Sequence, residues 1–167
     1  MRTRYVVSSM IGVVAALGAA CGGDSPTGAV GAGTMSAMIG DTLPWRANLS
    51  ISATLSADSV LEIVGLERTG KYVKLNIRQV AVDTQAVNLS RVFDFTFAND
   101  ETTGYAFFSE DTQNQFTTDN PGGSGRITIS LLSPTQVQGT FSFIAARGAG
   151  FDPIRRLAQG RFNVRLQ

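Results

Sequence analysis

The sequence predicts an all-β domain, an antiparallel sandwich or barrel of about nine or ten strands, and three observations carry that expectation. Apolar residues recur at every second position in one short segment after another, the signature of strands with one buried face. Clusters of Gly, Pro, Asn, Asp and Ser punctuate these segments, as at Gly40-Asp41, Asn99-Asp100, Pro121-Gly122-Gly123 and Ser133-Pro134. After residue 33 no long stretch repeats its apolar residues with helical period.

Residues 1–33 stand apart from this pattern. Arg2 and Arg4 precede an uncharged apolar run from Val6 to Leu17, and Leu17-Gly18-Ala19-Ala20-Cys21 then reads as a lipobox. Residues 1–20 are therefore expected to be a lipoprotein signal peptide, with Cys21 the lipidated residue. The run falls short of the about 20 apolar residues of a transmembrane anchor. An ordinary secretory signal cut near Ala20 is the rival reading and would leave Cys21 a free thiol; Gly18 stands where the commonest lipobox has Leu. Several acyl chains on Cys21 would give a stable membrane anchor. Gly22 rather than Asp follows the cysteine, so the best-known inner-membrane retention signal is absent. The expected location is the cell envelope, lipid-anchored, at the outer membrane. From Cys21 to Gly33 the chain is rich in Gly, Ser, Thr and Pro and reads as a flexible tether spanning roughly 20 Å. Residues 34–167 then form a single domain, which must stand without disulfides because Cys21 is the only cysteine.

Within that domain Thr34 to Ile39 reads as a first strand, and Gly40-Asp41 turns it into a second. Leu43, Trp45, Ala47, Leu49, Ile51, Ala53 and Leu55 then alternate with polar residues, a run too long for one strand and expected to bend or break midway. Val60 to Leu66 is apolar on both parities, as in a strand covered on two sides or crossing a sheet corner. Tyr72 to Val82 presents Val73, Leu75 and Ile77 inward, then changes parity at Val80, which predicts a bulge near Gln79. Phe93, Phe95 and Phe97 share one face, opposite Asp94 and Thr96. Tyr105 to Ser109 and Gln115 to Thr118 read as short strands beside an acidic loop at residues 110–114. Ile127, Ile129 and Leu131 alternate inward. Val137, Phe141 and Phe143 do the same along Gln136 to Ala145, with Gly139 marking a bulge or a close backbone approach. Pro153 to Gln159 invites a short helical turn, and Gly160 to Leu166 closes the domain with Phe162, Val164 and Leu166 inward. An outer-membrane barrel is disfavoured, because these strands are short and their outer faces carry Lys, Arg, Asp and Asn.

The chain resembles a group of small bacterial lipoproteins of unknown function. The resemblance rests on Ala37-Met38-Ile39-Gly40 leading to Trp45-Arg46-Ala47, on Ile63-Val64-Gly65, on Gly139-Thr140-Phe141-Ser142-Phe143 and on Gly160-Arg161-Phe162-Asn163-Val164. It implies an envelope-anchored all-β domain and brings no active residues with it. Where members of the group often have Thr or Asn before the last Gly-x-Phe, this chain has Leu157-Ala158-Gln159, which leaves the register of that strand open.

Removing Arg2 and Arg4 with the signal takes Lys plus Arg from 14 to 12 against 13 acids, a net of −1. Charge is unevenly distributed: from Val92 to Gly125 there are six acids and no Lys or Arg, while from Arg126 onward six arginines meet one acid, Asp152. The expectation is that antiparallel neighbours pair these charges within the fold. No aromatic-laced basic stripe marks a nucleic-acid binder, so no nucleic-acid partner is expected.

The chain has no histidine, and its cysteine is reserved for lipid, which removes His-dependent triads, Cys nucleophiles and ordinary zinc sites. A two-carboxylate glycosidase would have to draw on Glu110, Asp111 and Asp119, which read more simply as solvated loop acids. No catalysis and no cofactor are expected. The one metal candidate is a weak calcium site at Glu110, Asp111, Asp119 and Asn120, hard oxygens whose spacing matches no EF-hand. Arg147, Arg155 and Arg156, beside a Gly-rich loop, are candidates for meeting an anion. Trp45 and the Phe row read as core before they read as ligand lining. Two function classes follow. The first is a membrane-anchored, non-catalytic β-domain that binds or scaffolds a protein or glycan partner; the alternative is a ligand-binding barrel with an internal apolar or sugar pocket. A filled interior separates the first from the second.

Overall fold

A computed structural model describes residues 33–80, 91–96, 103–148 and 153–167, and these form one antiparallel sheet of eleven strands. In chain order they are β1 (Gly33–Ile39), β2 (Leu43–Arg46), β3 (Ser50–Leu55), β4 (Leu61–Leu66), β5 (Tyr72–Ile77), β6 (Arg91–Thr96), β7 (Gly104–Ser109), β8 (Gln115–Thr117), β9 (Ser124–Ser133), β10 (Gln136–Ala146) and β11 (Ile154–Arg165). The hydrogen-bonded order is β2-β1-β11-β10-β8-β7-β5-β4-β3, with β9 and then β6 branching from β10. β10 can serve two neighbours because it is long: Gln136 to Ile144 pair with β9, and Ala146 at its far end pairs with Thr117 of β8.

The two ends of this order, β2 and β3, are joined by only residues 47–49. The sheet therefore curls until its ends meet, in a barrel-like closure. Ala47 N–H donates to the Met35 carbonyl at 3.0 Å, Asn48 N–H to the Leu66 carbonyl at 3.2 Å, and Gln167 N–H to the Ala53 carbonyl at 3.0 Å. The expected break in the long alternating run falls at this corner. It costs two of the expected inward positions: Leu43, at the start of β2, and Leu49, at the corner itself, are exposed, whereas Trp45 and Ala53 are buried.

Elsewhere period two decides burial. Leu61 and Ile63, Val73, Leu75 and Ile77, Ala106 and Phe108, and Val137, Phe141 and Phe143 all face one interior. At about 1.5 to 3 kcal/mol per fully buried large side chain, this cluster is the main favourable term in the fold. Phe93 packs against it from β6; Phe97 and the side chain of Phe95 lie outside the described residues.

Three local irregularities re-aim side chains. β5 ends at Ile77, and Gln79 takes a left-handed conformation (φ 57°) that turns Val80 into the core, which accounts for the parity change seen in the sequence. On β9 the pairing skips from Gly139↔Ile129 to Gln138↔Leu131, so Ser130 is an extra residue. This bulge turns Leu132 inward and leaves Leu131 only half-buried, a correction to the simple alternation expected there. On β11, Gln159 (φ 53°) is extra relative to both β1 and β10, so the neighbours Leu157 and Ala158 are both buried. The short helical turn expected over Pro153 to Gln159 is absent; Ile154 to Gln159 is strand. The ladders of β10, and farther along of β1, satisfy its backbone groups, and tertiary pairing overrides a weak local preference.

The two Gly-x-Phe motifs find their physical meaning in the pairing of β10 with β11. Gly139 lies opposite Phe162, and Phe141 lies opposite Gly160. A Cβ on Gly139 would stand 2.5 Å from Phe162 Cζ, and one on Gly160 would stand 2.5 Å from two atoms of the Phe141 ring. Each ring thus occupies the space its partner glycine leaves empty, and the two rings stack with centroids 6.4 Å apart.

Candidate functional site

Cys21 and nearly all of the tether lie outside the described residues, except that Gly33 belongs to β1. The four calcium candidates sit in the two loops that flank β8, and the side chains of Glu110, Asp111 and Asn120 are engaged by the protein. The Glu110 carboxylate receives Arg155 Nε at 2.7 Å and Nη2 at 3.0 Å, and the same guanidinium lies 4.8 Å from the centroid of the Phe116 ring. Asp111 accepts from Asn114 Nδ2 at 2.7 Å and from the backbone N–H groups of Gln113 and Asn114, each at 2.8 Å. The Asn114 side chain first, and then these two amides, hold its carboxyl below the usual carboxylate range. Asn120 Nδ2 donates to the Ala146 carbonyl at 2.9 Å, tying its turn to the end of β10. Among the described residues, Glu110, Asp111 and Asp119 do not gather into a group that could hold a metal ion.

The arginines of the C-terminal region meet acids of the acidic segment, as charge pairing across strands would have it. Arg126 on β9 reaches Asp94 on β6 at 2.6 Å, directly across the ladder, and its hydrogen bond holds the Asp94 carboxyl low. Arg155 takes Glu110. Arg156 pairs instead with Asp41 in the β1–β2 turn, at 3.5 Å. Arg147 donates to Asn114 Oδ1 at 3.2 Å. Of the three anion candidates in the sequence, Arg155 and Arg156 are thus committed to carboxylates within the fold.

Trp45, buried to 1% exposure, belongs to the core cluster, and Phe93 packs against that cluster from β6. Among the described residues, several recesses lie on the outer face, one of them beside Asp94, Arg126 and Arg156. One of about 370 Å³ is bounded by Thr34, Ser36, Arg46, Ala47 and Arg161; one of about 350 Å³ by Arg126, Thr128, Thr140, Ser142 and Arg161. A third, of about 520 Å³, shares Ser36, Arg46 and Arg161 and adds Glu67 and Gln159. The strand register explains why these residues meet. Arg46 pairs with Ser36, Ser36 with Arg161, Arg161 with Thr140, and Thr140 with Thr128. They form one row running across β2, β1, β11, β10 and β9 on the outer face.

These five strands carry Arg46, Arg126, Arg155, Arg156, Arg161 and Arg165 and not one Asp or Glu. Acids from other elements neutralise Arg126, Arg155 and Arg156. Arg46 and Arg161 are exposed, and among the described residues no carboxylate pairs with either. Sequence reading missed this row because its members come from five separate segments; the only available signal was that Arg46, Ser36, Arg161, Thr140 and Thr128 each stand off the apolar parity of their own strand.

A second outer feature lies across β4, β5 and β7. Tyr72 stacks on Phe107 with centroids 5.3 Å apart, and Lys74 bridges to Glu62 at 2.6 Å beneath Tyr105. These residues are half-buried by one another and form a self-paired surface.

A family model for DUF6252, described as a domain of unknown function, matches residues 32–164. No curated protein and no solved structure matches the chain.

Proposed function

The chain belongs to the DUF6252 family, and on that footing we propose that it is a lipid-anchored envelope protein whose β-domain binds or scaffolds a protein or glycan partner without catalysis. Cys21 holds it to the membrane through acyl chains, the tether lifts the domain off the headgroups, and binding takes place on the outer face of the barrel. The observation that carries this reading is where the space lies. The interior is occupied by interlocking rings and aliphatic side chains, down to the two glycines that receive Phe141 and Phe162. The recesses are external and polar at their edges. A carrier with an internal pocket would need the reverse arrangement.

Anchorage is tested with the full chain and its Cys21→Ser variant. The wild type should incorporate labelled palmitate and partition into detergent, and the variant should do neither. Equal labelling and partitioning of the two would remove the lipoprotein part of the reading.

A further inference from the structure

We propose that the outer row Arg46–Ser36–Arg161–Thr140–Thr128 is a binding site for an acidic polysaccharide, a deepening that rests on the external-binding reading above. Three features of the row argue for it. Its charge is uncompensated: the five strands that build it hold only cationic ionisable groups, and the acids that reach them from elsewhere leave Arg46 and Arg161 unpaired among the described residues. These two guanidinium groups flank Ser36 from the strands on either side, about 10 Å apart between backbones. An anion seated over Ser36 would meet a guanidinium on either side.

The floor of the row is hydroxyl. Ser36, Thr140 and Thr128 stand between and beside the arginines, with Ser142 one pair further along β10. Hydroxyls both donate and accept, as sugar hydroxyls require, while a guanidinium fork matches a carboxylate with two parallel hydrogen bonds. The aromatic side chains at the flanking recesses, Trp45 and Phe141, are buried to 1% and 3% exposure, so the row lacks the exposed platform that single-stranded nucleic acid uses.

Its shape is linear and open. The recesses on either side of Arg161 share that residue as a common wall. From Arg46 to Thr128 the row crosses four inter-strand spacings, about 19 Å. A small anion would need a pocket that encloses most of its surface; an extended chain with an acid at intervals needs what is found here. Glu67 edges the recess toward Gln159, so the anionic chain follows the acid-free side, past Thr34 and across Arg161 toward Thr140.

The test uses the full-length protein in detergent micelles with polygalacturonate as probe and neutral dextran as control, read by titration calorimetry at low and moderate salt. Polygalacturonate should bind, more weakly as salt rises, and dextran should not. Arg46→Ala and Arg161→Ala should each weaken binding about tenfold, the loss expected of a charge-assisted hydrogen-bonded pair. Both positions are exposed, so the variants keep the wild-type fold, which their melting curves verify. Arg165→Ala should change nothing, since Arg165 is equally exposed and on the same strand but borders none of these recesses. Absence of binding at low salt, equal binding of dextran, or an Arg165→Ala loss as large as that of Arg161→Ala would each overturn the site. So would tighter, Arg161-dependent binding to phosphatidylglycerol vesicles or to single-stranded DNA. A protein that takes up palmitate yet ignores polygalacturonate refutes the ligand and leaves anchorage standing; one that binds polygalacturonate but is not labelled does the reverse.

Discussion

Gly160→Ala probes the fit between β10 and β11 with a single methyl group. The new Cβ would stand 2.5, 2.5 and 2.6 Å from three atoms of the Phe141 ring, where carbon atoms normally rest about 3.5 to 4.0 Å apart. The ring must therefore move by about 1 Å. It has little room to do so, since Phe141 is buried to 3% exposure and stacked between Phe143 at 6.0 Å and Phe162 at 6.4 Å. Overpacking of this kind costs about 1 to 3 kcal/mol, offset by about 0.4 to 1 kcal/mol because alanine has less freedom to lose than glycine. Phe141→Ala alone should cost about 3 to 5 kcal/mol. In the double variant the alanine methyl enters the space the ring vacated, so its cost should fall short of the sum by about 1 kcal/mol or more. Urea titration followed by the fluorescence of Trp45 reads all three, because Trp45 is the only tryptophan and is buried. Strict additivity, or a Gly160→Ala protein within about 0.5 kcal/mol of wild type, would refute the seating of the ring on this glycine.

Leu132→Ala should cost about 2 to 4 kcal/mol and Leu131→Ala much less, because the bulge at Ser130 buries the former; the opposite ranking in urea melts would remove the bulge. Arg155→Met should cost about 1 to 2 kcal/mol, after allowance for partial exposure, since it strips Glu110 of a two-point hydrogen bond. Arg126→Ala, at a far more exposed pair, should leave the melt close to that of wild type; equal losses at both would contradict the difference in burial. Asp94 and Asp111 have carboxyls held below their unfolded value of about 3.9, so each contributes stability that is fully present above that pH and lost as the pH falls through the folded value. The deficit of Asp111→Asn relative to wild type should accordingly shrink below about pH 4, and a deficit that widened on acidification would show the sign to be wrong.

Period two made most of the fold legible, because a strand with one buried face writes its orientation directly into the chain. Leu61 with Ile63, and Val73 with Leu75 and Ile77, needed nothing else. Gln79 was legible as the point where parity breaks. What escaped was irregularity without a sequence mark: Ser130 and Gln159 are ordinary residues for a strand, and each becomes extra only because its neighbours pair around it. Leu43 and Leu49 match the apolar pattern but lie where the sheet turns its corner, which alternation alone does not encode. The pairing of acids with arginines was foreseeable from their counts, but the particular couples, such as Arg155 with Glu110, depend on a topology that carries β11 past the end of β8. The row of arginines and hydroxyls was least legible of all, for it exists only across strands.

The register that joins Ser36 to Arg161 and Gly33 to Val164 also sets a clock. It pairs the first described strand with the last, so the row is assembled from segments that are synthesised at opposite ends of the domain. Such distant pairing slows folding toward the millisecond-to-second range typical of all-β domains. Because β11 lies between β1 and β10, the row is not complete until that strand is in place. The local hairpins β1–β2 and β9–β10 each hold one half of the row, and Arg161 of the last strand joins the halves into one continuous surface.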